Sequence, residues 1–147
     1  YDETRNYAIN LGYALQMTNI LRDIKHDKNR GYIYIPREDL DRFDITEDDI
    51  VNEVYDTRFV ELMRFETLRA REYYHKARSL LHPDERPQMF AAEIMDEIYY
   101  RLLEKIELND FNIYKKKIGV SPVHKFMIAL KHWLSIKMFI ARIKKQP

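Results

Sequence analysis

The scarcity of residues that allow tight turns constrains this chain more than any other feature of its sequence. Only 3 Gly and 5 Pro occur among 147 residues, so few positions favour the turns that join the strands of a β-sheet. Hydrophobic residues make up 46% of the chain and charged residues 33%, a balance typical of a globular protein rather than a disordered one. We therefore predict an all-α fold of long helices.

Hydrophobic periodicity divides the chain into roughly five helices that form one packed unit without repeats or linkers. The first is predicted over about residues 5–28, and its apolar residues cover most of its circumference, so we expect it to be buried. Asn29-Arg30-Gly31 stops this helix, and an alternating segment over 32–36 leads to Pro36 at the start of a helical turn. Further helices are predicted over about 46–54, 56–81, 87–108 and 121–144, with a loop over 109–120.

The absence of some residue types excludes several kinds of chemistry. The chain has no cysteine, so disulfide frameworks, thiolate zinc sites and thiol nucleophiles are excluded, and carboxylates or histidines must carry any chemistry. His75, His82, His124 and His132 lack the spacing of metal ligands, and we expect them at the surface or in packing. No run of about 18 apolar residues predicts a membrane span. The chain starts at Tyr1 within helix-like sequence, so we expect a fragment lacking its true N-terminus.

Charge is distributed unevenly along the chain, although its net value is only +1. After Asp110 there is no acidic residue, and this basic segment predicts either a solvated helix face or a polyanionic partner, such as a diphosphate or an anionic membrane. We expect no nucleic acid, because no recognised binding motif accompanies the lysines. The last helix is predicted either to lie on a membrane surface or to pack in a core. The basic residues are Lys115, Lys116, Lys117, Lys125, Lys131, Lys137, Arg142, Lys144 and Lys145.

A polar seam runs along the first predicted helix. Gln16, Asn19, Asp23 and Asp27 are three or four residues apart, so at about 100° per residue they fall within roughly 80° of arc. Carboxylates sunk into a core require a compensating cation, so we expect either a metal ion or an ion pair with a neighbour such as Arg22. Two carboxylates one turn apart suit Mg²⁺, which completes its shell with water and phosphate oxygens.

Two segments of the chain resemble motifs of the squalene/phytoene synthase family. The second aspartate-rich motif of that family resembles residues 12–27, GYALQMTNILRDIKHD, together with residues 30–36, RGYIYIP. A late helical segment of its phytoene synthases resembles residues 99–112, YYRLLEKIELNDFN, and continues to Val120 and Ser121. His26 stands where the family commonly has Glu, and Tyr32 where it usually has Arg, for which Arg30 is expected to compensate.

The resemblance implies the C-terminal half of an isoprenoid synthase fold, also called the class I terpenoid synthase fold. On this basis residues 1–147 form a partial squalene/phytoene synthase domain without the first aspartate-rich motif, and the fragment alone is expected to be inactive. The implied cofactor is Mg²⁺. The implied roles are metal binding for Asp23 and Asp27, catalysis for Tyr99 and Arg22, and substrate binding for Gln16, Asn19, Arg30, Tyr34 and Lys116.

The activity that the resemblance implies is a head-to-head condensation of two prenyl diphosphates. Geranylgeranyl diphosphate giving phytoene is favoured over farnesyl diphosphate giving presqualene diphosphate or squalene, and NADPH is expected only if squalene is the product. The alternatives are a non-catalytic assembly or scaffold protein of the same family and a class I terpene cyclase. We expect a cytoplasmic protein or one that is peripheral on the inner face of a membrane.

Overall fold

The computed structural model describes residues 2–143, and within that range the chain folds into α-helices joined by turns and loops, without a β-strand. The all-α prediction is confirmed for these residues. A 3-10 turn over Pro83–Glu85 separates the fourth helix from the fifth. The helices are α1, Asp2–Asn29; α2, Arg37–Arg42; α3, Glu47–Val51; α4, Thr57–Leu80; α5, Phe90–Leu108; and α6, Pro122–Ile143.

The two longest helices, α1 and α4, pack against each other and form the centre of the fold. Each presents an apolar stripe with the three-and-four spacing of one helix face. The Oγ1 of Thr18 donates to the backbone oxygen of Ala14, so the Tyr74 hydroxyl donates the buried 2.9 Å hydrogen bond to Thr18. This bond fixes the rotation of α1 relative to α4. The striped residues are Tyr7, Leu11, Ala14, Leu21 and Ile24 on α1 and Phe59, Leu62, Met63, Ala70 and Ala77 on α4.

α1 is buried along one face only, so the prediction that it is buried over most of its circumference is wrong. Ile9 and Gln16, on the face opposite the stripe, are exposed. Periodicity identifies apolar positions, but burial also requires a neighbouring element to cover them. Within the described part of the chain, α4 and α5 pack on α1 and leave this opposite face open.

Gly31 ends α1 as predicted. Its φ of 83° lies in the left-handed region, where a residue with a Cβ is strained. The Gly31 amide donates to the Lys28 oxygen at 3.0 Å, and the Tyr32 amide donates to the Asp27 oxygen at 3.0 Å. These two bonds form a Schellman motif that satisfies the last carbonyls of the helix and turns the chain back toward α1.

Side-chain caps start α3 and α4 near the predicted positions. Thr46 accepts a hydrogen bond from the Asp49 amide at 3.1 Å, and the Asp49 carboxylate accepts one from the Thr46 amide at 2.9 Å. Asp56 caps α4 by accepting from the Phe59 amide at 3.2 Å. α3 ends three residues earlier than predicted, at Val51.

A buried acidic pair fastens α2 to α4. The Asp39 carboxylate accepts hydrogen bonds from Arg69 at 2.8 and 3.2 Å, and Glu66 lies within 3.4 Å of the same guanidinium. Burial, and then the hydrogen bond with Asp39, raise the pKa of Glu66 to about 7. Burial acts against ionisation of Asp39 as well, but the hydrogen bonds of Arg69 and Glu66 lower its pKa below the ordinary value. Of the two carboxyl groups, Glu66 therefore keeps a proton more readily than Asp39.

α5 packs on both central helices, and α6 packs on α5. Pro122 is the first residue of α6, and the Ser121 hydroxyl accepts a hydrogen bond from the His124 amide at 3.3 Å, which confirms the predicted start. Of the described helices, none combines the length and apolar character that crossing a membrane demands. The predicted end of this helix at Lys144, and Lys145 with it, lie outside the described residues.

Candidate functional site

The four polar residues of the seam lie together on the open face of α1. At about 100° per residue, Gln16, Asn19, Asp23 and Asp27 point roughly opposite to the stripe that packs on α4. Gln16 is exposed and the other three are half-buried. Helical spacing therefore predicted the grouping correctly. The expectation that the two carboxylates are sunk into a core is wrong for the described residues, because this face is uncovered.

Arg22 holds the Asp23 carboxylate in a two-pronged ion pair. The Nε and Nη2 atoms of Arg22 donate to the two oxygens of Asp23 at 2.8 and 2.5 Å. The side chains are 25% and 28% exposed, so the pair is only partly shielded from water. The hydrogen bond to Asp23 raises the pKa of the Arg22 guanidinium above its ordinary value. The ion pair that was predicted as one alternative for the seam is present in the structure.

Tyr99 of α5 lies beside this ion pair. Its hydroxyl is close enough to Arg22 to add to the upward shift in the pKa of the guanidinium. Tyr99 itself is half-buried against the hydrophobic core. The fold thus brings together Tyr99 and Arg22, the two residues predicted to be catalytic, which are far apart in sequence.

Asn19 carries an unsatisfied acceptor next to Asp23. Its Oδ1 is buried, and no donor among residues 2–143 reaches it. A buried polar atom without a partner costs about 1–3 kcal/mol, so such an atom points to a ligand that completes it. Amide and carboxylate oxygens are the donors that a hard divalent cation prefers. The oxygens of Asn19, Asp23 and Asp27 are therefore of the kind that could hold Mg²⁺ in an incomplete shell.

Protein side chains alone do not build a closed metal cage here. Across the described ranges, no three His, Cys, Asp or Glu side chains gather around one point. Mg²⁺ differs from zinc and calcium in that it is commonly held by one or two carboxylates, with water and substrate phosphates completing its octahedron. The donor set on α1 is of this open kind.

Tyr34 is brought next to Asp27 by the turn at the end of α1. The two tyrosines of the 32–36 segment, Tyr32 and Tyr34, stack with ring centroids 5.8 Å apart. Together with Asp27 and two isoleucines of α1 they line a recess of about 10 Å³, room for one water at most. Both rings are largely exposed, so they form a projecting aromatic edge beside the seam.

Arg30 and Lys116 are not brought into contact with the seam. Both are exposed, and within residues 2–143 neither side chain forms an ion pair or hydrogen bond with Asp23 or Asp27. The loop that carries Lys116 is tied to α1 through Lys25, whose Nζ donates to the Tyr114 oxygen at 2.6 Å. Their predicted roles in substrate binding stay predictions.

Sequence reasoning missed two polar contacts that shape the molecule. Thr18 was not distinguished from its neighbours, although its bond to Tyr74 sets the direction of the whole seam. His132, expected at the surface or in packing, forms a half-buried 2.8 Å hydrogen bond with Glu97 that joins α6 to α5. Neither contact has a local sequence signal, because each partner lies more than thirty residues away.

Comparisons with known proteins converge on one group. The squalene/phytoene synthase family profile matches residues 1–125. A phytoene synthase of Arthrospira platensis is 42% identical over 126 residues, which cover 84% of this chain and 40% of the relative. A 15-cis-phytoene synthase of Synechocystis sp. is 39% identical over 127 residues, covering 86% of this chain and 38% of the relative.

A solved structure shares the fold. A crystal structure of a dehydrosqualene synthase in complex with ligand superimposes with a TM-score of 0.71 and 27% sequence identity. The match covers 90% of this chain and 47% of that chain. The chain thus spans about 40% of the length of the curated relatives it matches.

Proposed function

This chain belongs to the squalene/phytoene synthase family, and from that membership we propose that the whole protein joins two prenyl diphosphates head to head. The observation that carries the proposal is that Arg22 pairs with Asp23 and lies beside Tyr99, one helical turn from the unsatisfied oxygen of Asn19. Membership in this family displaces the terpene cyclase alternative. The named phytoene synthases among the relatives favour geranylgeranyl diphosphate as substrate and phytoene as product.

The chemical demand of such a reaction is the departure of a diphosphate from an allylic carbon. Mg²⁺ held by Asp23, Asp27 and Asn19 would supply positive charge for the leaving diphosphate. The Arg22 guanidinium is a planar fork that matches phosphate oxygens as well as it matches a carboxylate. Because its pair with Asp23 is partly exposed, Arg22 can exchange this carboxylate for a diphosphate oxygen.

Other residues of the site have positions suited to binding and shielding. The Tyr99 hydroxyl donates to the diphosphate from the α5 side, and Gln16 contacts the substrate further along the seam. Tyr34 covers the Asp27 end with its aromatic ring and limits access of water. Arg30 and Lys116, which are exposed in the structure, add cationic charge at the rim.

An assay of the full-length protein tests the proposed activity. Incubation with Mg²⁺ and either geranylgeranyl or farnesyl diphosphate, with and without NADPH, should give phytoene from the first substrate without NADPH. The variants Asp23→Asn and Asp27→Asn should lose nearly all activity, whereas Asp41→Asn on an exposed part of α2 should keep it. Absence of any condensation product from either diphosphate would refute the enzymatic proposal.

A non-catalytic member of the family is the second candidate. The observation in its favour is that Asp23 is already neutralised by Arg22, so this carboxylate needs no metal to balance its charge. A scaffold protein should not respond to Mg²⁺ and inorganic pyrophosphate, whereas a synthase should be stabilised by them. A thermal shift measurement therefore separates the two candidates even when no product is detected.

We propose that α6 gives the protein a peripheral contact with an anionic membrane. Its side chains are mostly exposed, Phe126 by 65%, and its charged residues in the described part are all basic. Sedimentation with vesicles of phosphatidylglycerol, compared with phosphatidylcholine, tests the contact. The variant Phe126→Ser should reduce sedimentation, and equal binding to both lipids would contradict the role of charge. The exposed apolar residues are Val123, Phe126, Met127, Trp133, Leu134, Met138 and Ile140.

A further inference from the structure

Two residues of α4, Tyr74 and Arg78, connect α1 and α5, the two helices that carry the candidate site. They are four residues apart and so lie on the same face of α4. The Tyr74 hydroxyl donates to Thr18 of α1 at 2.9 Å. The Nε and Nη2 atoms of Arg78 donate to the Asp96 carboxylate of α5 at 2.6 to 3.2 Å, and the Asp96 side chain is only 9% exposed. One face of α4 therefore holds both neighbouring helices.

Arg78 has a second contact on α5, one turn beyond Asp96. Its guanidinium carbon lies 4.2 Å from the centre of the Tyr100 ring. The Tyr74 ring meets the same ring edge-on, with centroids 5.2 Å apart. The two-pronged bond to a carboxylate and the stacking on an aromatic face both depend on the planar fork of arginine. Contacts at residues 96 and 100 fix the rotation of α5 and its position along its axis.

Tyr99 lies between these two points of attachment along α5. At about 100° per residue it is about 60° away from Asp96 around the helix. Burial raises the pKa of Tyr74 above its ordinary value, and Tyr99 adds to this shift, so the Tyr99 hydroxyl is close to Tyr74 as well as to Arg22. Side chains extend to about 6 Å from a helix axis, so a rotation of α5 by about 10° moves such a group by about 1 Å.

We propose that Arg78 is a positioning residue for the condensation: by holding Asp96 and Tyr100, it keeps the Tyr99 hydroxyl beside Arg22. The inference rests on the proposed function, in which Tyr99 and Arg22 contact the diphosphate together. A misplacement of about 1 Å can slow a reaction about a hundredfold, so the orientation of α5 matters for the rate. Among residues 2–143, the hydrogen bonds and the ion pair of Arg78 are all with Asp96, so Arg78 acts through α5 and not on the substrate.

Arg69, which also belongs to α4, is a matched control. It makes a two-pronged bond to Asp39 of α2 at 2.8 and 3.2 Å, and its guanidinium carbon lies 4.6 Å from the centre of the Phe65 ring. The side chains of Arg69 and Asp39 are 36% and 6% exposed, compared with 40% and 9% for Arg78 and Asp96. The two arginines thus have the same kind of surroundings, but the pair of Arg69 holds α2 rather than α5.

Fluorine NMR of the 147-residue chain with 3-fluorotyrosine at position 99 tests the positioning without an activity assay. Arg22→Gln defines the resonance of a Tyr99 ring that has lost its neighbour. Arg78→Lys keeps a positive charge beside Asp96 but loses the fork, so the resonance should move toward that of Arg22→Gln, whereas Arg69→Lys should leave it unchanged.

The two changes should also be non-additive, because both act on the same contact. Arg78→Lys introduced into Arg22→Gln should therefore move the resonance less than it does in the parent chain. If Arg78→Lys does not fold, Asp96→Asn loosens the same attachment from the α5 side and should give the same shift. An unchanged resonance, or an equal shift in both backgrounds, would overturn the proposal.

Kinetics of the full-length protein give a second test. Arg78→Lys should lower kcat about tenfold while KM changes by less than about threefold, and Arg69→Lys should keep kcat within about twofold of the parent. Equal kcat values in the two variants of an active parent would refute the positioning role. Absence of product from the parent would refute the condensation itself, and the NMR result would still decide whether Arg78 positions Tyr99.

Discussion

Thr18 and Asn19 are neighbours in the chain but serve opposite faces of α1. Thr18 accepts the hydrogen bond of Tyr74 in the core, while the amide oxygen of Asn19 is left without a donor beside Asp23. Thr18 therefore sets the orientation of the helix, and this orientation places Asn19 on the open face beside Asp23. Two predictions follow from this contrast between the Thr18 hydroxyl, which is hydrogen-bonded, and the Asn19 amide oxygen, which is not.

The variant Tyr74→Phe should lower the free energy of unfolding by about 1 kcal/mol, because it deletes a buried hydrogen bond and leaves the Thr18 hydroxyl with one partner fewer. Urea denaturation followed by circular dichroism measures this change. Tyr114→Phe is the control: its hydroxyl is buried without a partner in the described chain, so its removal should be neutral or slightly stabilising. Equal losses in the two variants would mean that the Thr18 bond contributes nothing.

Mg²⁺ together with inorganic pyrophosphate should raise the melting temperature of the chain by roughly 3–8 °C, because a ligand that binds only the folded state stabilises it. Asp23→Asn should abolish the shift, and Asn19→Leu should reduce it while raising the melting temperature in the absence of ligand, since the unsatisfied oxygen is gone. Asp41→Asn should leave the shift intact. A shift retained in Asp23→Asn would remove this residue from the metal site.

The sequence was sufficient to place the site residues on one stripe of α1. It was insufficient to predict whether that stripe faces the core or solvent. The spacing of Asn19, Asp23 and Asp27 predicts their alignment, because it follows from helix geometry alone. Whether this stripe faces a core or solvent depends on which elements pack against the other side, which no local pattern contains. The ion pair of Arg22 with Asp23 was one of two predicted alternatives, and sequence spacing alone does not show that it forms.

At the scale of elements, helix ends were predicted best where a specific residue produces them. Gly31, Thr46 and Pro122 each mark a boundary within a residue or two of the one observed. α5 begins later than predicted, at Phe90, since Pro83 and Pro87 favour turns ahead of it. Long-range contacts such as the one between His132 and Glu97 have no signal of this local kind.

Two glycines of the same region should respond in opposite ways to the same substitution. Gly31→Ala should lower the free energy of unfolding by about 1 kcal/mol, because the positive φ of the helix end strains any Cβ although no atom lies within 4 Å of it. Gly12→Ala, in the interior of α1 with equally open space, should raise it by up to about 1 kcal/mol. Chemical denaturation of both variants measures the difference. The same sign for both would contradict the backbone explanation.

The junction of α2 and α4 should make stability depend on pH. The pKa of Glu66 is raised to about 7 in the folded chain, so the folded state holds a proton that the unfolded state releases at lower pH. The contribution of Glu66 to stability is therefore full below its unfolded pKa of about 4.5 and is lost as pH rises through about 7. Melting temperatures between pH 5 and 8 should fall with pH in the parent chain, and Glu66→Gln should flatten the decline. A parallel decline in the variant would assign the effect to other groups.

At the scale of the whole molecule, the fold class could be predicted from composition. Which helix faces are covered by other elements could not. Few glycines and prolines predict helices, and the two motif resemblances predict the family, which the profile match to residues 1–125 confirms. The open face of α1 was not predicted, and that of α6 was one of two alternatives, because apolar periodicity is the same whether or not a partner covers it. Ile9 and Phe126, both apolar and both exposed, illustrate this limit.

The opposition between the two faces of α1 has a consequence for how substitutions are tolerated. If every position from Tyr7 to Asp27 is varied and each variant is scored separately for cellular abundance and for product, the two maps should be out of phase. Substitutions at buried positions such as Leu11 and Leu21 should reduce abundance. Substitutions at Gln16 and Asp23, on the opposite face of the helix, should reduce product formation at normal abundance. One helix would then carry two separate sets of positions, so that substitutions could change stability or activity with little effect on the other.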